Sequence, residues 1–202
     1  MNEHYRKAQV AYDHAMEDLE EIGVAIRRVA EKNGRNFSTK IFYSQFDCIL
    51  QYSLIQAAAS DGDIDVDELQ CIKDLTRYGD LVSFINSKYA VKISWQSILD
   101  SNTGSVIDWL DINKRYVDSI CDEFCLAFSI VDAATEKDYL KNLMEDVRKI
   151  IIAIWEMDDV VYESEVENIS DNYILEVFAT IHGQINELTA DADKNVTKGQ
   201  TK

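Results

Sequence analysis

Asp61, Asp63, Asp65, Asp67 and Glu68 crowd five carboxylates into eight residues. Oxygen-rich sets of this kind bind hard divalent cations, which take carboxylate and carbonyl ligands at about 2.3–2.6 Å. Paired carboxylates can also run acid–base chemistry when burial or a like charge raises one pKa. No neighbouring residue type announces such a rise here. A second stretch repeats the layout: Ile154-Trp155-Glu156-Met157-Asp158-Asp159-Val160-Val161-Tyr162-Glu163-Ser164-Glu165. In both, an apolar helical run meets an aspartate, a short acidic turn follows, and a glutamate opens the next helix. Asp61 and Glu68 match Asp158 and Glu165 at one constant offset.

Helix capping explains part of this pattern. Asp65 can serve as N-cap with Glu68 at the third helical position, a capping box. Carboxylates in a first helical turn also sit well with the helix dipole. That leaves Asp61 and Asp158, each at the C-terminal end of a helix, where negative charge is unfavourable. Neither has a Lys or Arg within five residues. A bound cation would reverse the penalty. A solvated and ionically screened turn is the alternative reading of the same residues.

Several established sites are excluded by position. The run from Asp61 begins like an EF-hand loop, but Val66 stands where the turn needs glycine and Ile72 where the bidentate glutamate belongs. A di-iron carboxylate bundle needs Glu-x-x-His on its helices, and none of His4, His14 or His182 has a glutamate three residues before it. Cys121 and Cys125 share a helix face, but no second Cys or His pair completes a zinc site, so Cys48, Cys71, Cys121 and Cys125 read as buried free thiols. No glycine-rich phosphate loop, nucleophile–base pair or Cys–His pairing is present.

The elements that must hold the acidic turns read as helices. Proline is absent and glycine numbers seven, and apolar residues recur at three- and four-residue steps. Residues 4–32 predict one long helix with Leu19, Ile22, Ile26 and Val29 on its stripe, stopped by Asn33-Gly34. Its start is thin in large apolar residues, which suits an arm or a docking element, and a homodimer through it is one expectation. Ser38 caps a helix running to about Ser60. A third helix spans about Val66 to Tyr78 and stops at Gly79. Short helices follow at Leu81–Asn86 and after Ser94, and Ser101-Asn102-Thr103-Gly104 reads as a loop. Further helices cover about 106–132, from an N-cap at Thr135 to Ile154, and about 163–189. The organisation expected is an N-terminal helix over 1–36, an all-α bundle with an internal pseudo-repeat over 37–189, and a disordered tail over 190–202.

Composition narrows the partners. The net charge of −17 argues against nucleic acid, whose recognition needs concentrated Lys and Arg, and favours cations or basic proteins. No stretch approaches the roughly 18 apolar residues that span a bilayer, so membrane insertion is not expected. The polar start, Met1-Asn2-Glu3-His4, leads into no signal-peptide pattern, and the expected location is the cytoplasm.

Residues 57–68, Ala57-Ala58-Ala59-Ser60-Asp61-Gly62-Asp63-Ile64-Asp65-Val66-Asp67-Glu68, resemble the signature of TerB-like proteins, the family associated with tellurite resistance. The likeness covers roughly 38–190. The second turn departs from it, with Asp159 in place of glycine and Tyr162 at the capping position. The resemblance implies an all-helical bundle whose two acidic turns face one surface and bind a divalent cation. Carried onto this chain, it implies Asp61, Glu68, Asp158 and Glu165 as the core of the metal site, with Asp65 and Asp159 as further ligands. It implies a non-enzymatic module that binds calcium or magnesium and serves stress or tellurite responses through protein partners. The alternatives are a metal-free scaffold that docks through helix 4–32, and a metal-assisted hydrolase at the acidic cleft.

Overall fold

The computed structural model describes residues 3–59, 66–89, 94–99, 103–135, 138–158, 175–180 and 183. Among them the elements are α1 (Glu3–Lys32), α2 (Thr39–Ala58), α3 (Val66–Leu75), α4 (Leu81–Tyr89), α5 (Trp95–Leu99), α6 (Thr103–Thr135) and α7 (Tyr139–Trp155). A 3-10 turn, Glu156–Asp158, extends α7, and residues 175–180 are helical. No strand occurs among the described residues, so the all-α class holds.

Each of α1, α2, α6 and α7 touches the other three, and α3 and α4 pack on α2. The centre is aromatic. Phe124 lies 4.8 Å from Phe42, 4.9 Å from Phe128, 5.9 Å from Phe46 and 6.1 Å from Phe178, between ring centroids. Ile49, Leu54, Phe124, Phe128, Val147 and Ile151 are fully buried in the core. Val177 is half-buried, and Ile181 lies outside the described residues.

The long first helix is one continuous element and belongs to the bundle. It runs antiparallel to α7, and side-chain hydrogen bonds along the pair fix their register. His4 Nδ1 meets Glu156 Oε2 at 2.9 Å, His14 Nδ1 meets Asp146 Oδ2 at 2.5 Å, and the Tyr139 hydroxyl donates to Glu21 Oε2 at 2.8 Å. The residues that α1 buries are Ala8, Ala11, Tyr12, Ala15, Leu19, Ile22 and Gly23. Alanines make its first turns look thin in apolar residues. They also let the two helix backbones approach closely, so a weak stripe in sequence is a tight seam in space. The chain's own α7 occupies the face that was open to a partner.

Helix α2 is apolar on nearly every side, as befits a helix enclosed by its neighbours. Ser38 caps it, accepting from the Ile41 backbone N–H at 3.3 Å. Ser38→Ala is expected to lower unfolding free energy by about 1 kcal/mol, measurable as a reduced urea midpoint with an unchanged slope. Gly34 ends α1's turn at φ +65°, the left-handed conformation that favours glycine.

Two polar residues one turn apart on this buried helix, Asp47 and Gln51, hold the segment between α3 and α4. Asp47 Oδ1 accepts from the Tyr12 hydroxyl at 2.8 Å. Its Oδ2 accepts from the backbone N–H groups of Arg77 (3.0 Å), Tyr78 (2.6 Å) and Gly79 (2.9 Å). Gln51 Oε1 accepts from the Leu81 N–H at 2.7 Å, and its amide donates to the Thr76 hydroxyl. Burial pushes the Asp47 carboxyl above its usual range, against the hydrogen bonds that favour its charged form. This clamp explains why α3 stops at Leu75 and not at Tyr78 as the sequence suggests: the next N–H groups turn to Asp47. Gly79 is required there because a Cβ would run into the Ser44 carbonyl and stand 2.9 Å from the Asp47 Cβ.

Two further boundaries differ from expectation. Thr103 and Gly104 lie in α6 and not in a loop. Thr135 ends α6, and Asp138 is the N-cap of α7, accepting from the Lys141 N–H at 3.3 Å. Ser94 caps α5 as expected, accepting from the Ser97 N–H at 3.1 Å.

Candidate functional site

Two places on the bundle bring chemistry-bearing residues together. The first is where α2 and α7 end. Trp155, the last residue of α7, donates its indole N–H to the Ala57 carbonyl at 2.9 Å. Ala57 lies in the last turn of α2, so the two helices that run into the acidic turns finish side by side. Helix α3, which follows the first turn, also contacts α7. Glu68 lies buried in the first turn of α3. Asp158 closes the 3-10 turn after α7. The side chain of Asp158 and all of Asp61, Asp65, Asp159 and Glu165 lie outside the described residues.

The α1–α7 seam anchors this end. Glu156 accepts from Lys7 Nζ at 3.2 Å and pairs with His4. Burial alone would raise the Glu156 carboxyl, but the hydrogen bonds from His4 and Lys7 outweigh it and hold the group below its usual range.

The second place is one level along the same seam. His14 and Asp18 project from one face of α1, and Asp146 faces them from α7. Their ligand atoms all lie within 4.8 Å of one another. Asp146 is 1% exposed and has two nitrogen partners, His14 at Oδ2 and Lys149 at Oδ1, the latter at 2.8 Å. The hydrogen bond to Asp146, then its charge, raises the His14 pKa. A groove of about 590 Å³ opens here, with Val10, His14, Asp146, Lys149 and Ile152 among its walls. Helix spacing in the sequence brings together only two of these three residues. His14 and Asp18 have helix-face spacing, but Asp146 joins them across 132 residues.

Another groove, of about 420 Å³, lies between α2 and α6 with Cys48, Phe84, Tyr116 and Ile120 in its walls. Burial pushes the Cys48 thiol up to about 12, which keeps it protonated at neutral pH and unsuited to nucleophilic attack. None of the four cysteines forms a disulfide; Cys48, Cys121 and Cys125 are buried and Cys71 is half-buried.

Among the described residues no helix is long and apolar enough to cross a membrane. No protein-family model, no curated protein and no solved structure matches this chain.

Proposed function

We propose that this chain is a non-catalytic helical module that binds a divalent cation, calcium or magnesium, between its two acidic turns. It acts through protein partners, as the resemblance to TerB-like proteins implies; the link to tellurite or stress responses comes from that resemblance alone. The pairing of the α2 and α7 ends by the Trp155–Ala57 hydrogen bond is the observation that carries this reading. Helices that end together bring their negative dipole ends together, and each is followed directly by an acidic turn. A cation between them relieves both repulsions, with Asp61, Asp158, Glu68 and Glu165 as its ligands and Asp65 and Asp159 beside them.

The test is a thermal melt of the full chain in chelator, calcium and magnesium. An ion at a hundred times its Kd adds about 2.7 kcal/mol to the folded state. For a chain of this size that is a rise of roughly 5–10 °C. Asp61→Asn and Asp158→Asn should each abolish the rise and, in chelator, be neutral or slightly stabilising. Identical melting curves with and without metal, up to millimolar concentrations, would show the turns to be solvated caps.

A further inference from the structure

We infer that His14, Asp18 and Asp146 form a separate metal site, built for a zinc- or nickel-type ion and not for calcium or magnesium. The inference shares no residue with the acidic turns and does not rest on the reading above.

The ligand types come first. One imidazole with two carboxylates suits zinc, nickel and related ions, whereas calcium and magnesium prefer oxygen alone. Geometry is next. Zinc bonds to nitrogen and carboxylate oxygen run about 2.0–2.2 Å, so atoms sharing one ion stand roughly 3–4 Å apart. The three side chains already bring their ligand atoms within 4.8 Å, so rotamer adjustments of less than an ångström or so close the site. The ligands also sit on rigid supports. His14 and Asp18 are one turn apart on α1, between the buried residues Ala11, Ala15 and Leu19, and Asp146 is flanked on α7 by buried Leu143, Val147 and Ile150.

The electrostatics permit exchange. Asp146 is a buried carboxylate on a chain of net charge −17, and its two partners, the His14 ring and the Lys149 ammonium, are both replaceable. The side chains of His14 and Lys149 are 58% and 62% exposed. Zinc takes the place of the proton between His14 and Asp146, and the Lys149 ammonium swings into water on its flexible stem. The groove between α1 and α7 gives the ion access. With three protein ligands, the remaining coordination positions belong to water.

Zinc chloride titrated into the full-length protein by calorimetry should show one site that survives in the Asp61→Asn/Asp158→Asn double variant. His14→Gln and Asp18→Asn, both at partly exposed positions, should each weaken that site roughly tenfold or more, while His4→Gln should leave it unchanged. In 15N-detected NMR, the His14 ring nitrogen resonances should move on zinc addition. Circular dichroism and thermal melts of the metal-free variants confirm that they are folded. The inference is overturned if the wild type takes up no zinc at millimolar concentration. It is equally overturned if binding is lost in the double variant yet kept in His14→Gln, which would place the ion at the acidic turns. A wild type that binds zinc but melts identically with and without calcium or magnesium would sink the proposed function and leave this site standing.

Discussion

Asp47→Ala should lower the stability of this protein by at least about 3 kcal/mol, because one substitution strands three hydrogen-bond donors. Two are the consecutive backbone N–H groups of Tyr78 and Gly79, and the third is the buried hydroxyl of Tyr12; the Arg77 N–H loses one acceptor but keeps the Tyr12 hydroxyl at 3.3 Å. A buried donor left unsatisfied costs about 1–3 kcal/mol. The stranded groups cannot all turn to water, since Gly79 is pressed against Ser44 and Asp47. On a chain of this length the melting temperature should fall by roughly 6–12 °C. Amide hydrogen exchange locates the effect: residues 77–79 should lose protection well before α6 does. A loss under 1 kcal/mol with unchanged exchange at these amides would mean that the segment holds itself without the carboxylate.

Phe124→Ala should cost about 3–5 kcal/mol, the range for emptying a fully buried phenylalanine site. Its ring is 0% exposed and touches aromatic rings on three separate pieces of chain. Phe42 and Phe46 belong to α2, Phe128 lies on its own helix, and Phe178 belongs to the 175–180 segment. The cavity therefore cannot close by moving one neighbour. In urea unfolding the midpoint should drop while the slope stays constant, if the bundle keeps its architecture. Packing of Phe178 should loosen as well, visible as sharper exchange at the amides of 175–180. A cost near 1 kcal/mol would show that the aromatic cluster collapses into the space.

What could be read in the sequence was what neighbouring residues decide. Ser38 and Ser94 announce their caps, and Gly34 announces the end of α1. What escaped depends on partners far along the chain. The end of α3 is set by Asp47, about thirty positions away, which captures N–H groups that would otherwise continue the helix. The alanine stripe of α1 has no strong hydrophobic signature until α7 lies against it. The His14–Asp18–Asp146 cluster is likewise split between the two helices. At Thr135 the miss was local: two good capping residues lie three apart, and the structure uses the second. Of the six carboxylates assigned to the acidic turns, only the side chain of Glu68 falls within the described residues, buried at the start of α3.

The pairing of α1 with α7 also sets an order of events during synthesis. His14 and Asp146 are 132 residues apart, and ribosomes add about 5–20 residues per second. Helix α1 therefore waits on the order of 10 s for the strip of chain that covers it, far longer than a helix needs to form. The residues that α1 later buries include Ala8, Ala11 and Ala15, which offer less sticky surface to other nascent chains than the Tyr12, Leu19 and Ile22 beside them. A small-residue seam is thus a safe way to postpone a contact: it gives close packing once α7 arrives and little temptation to aggregate before then.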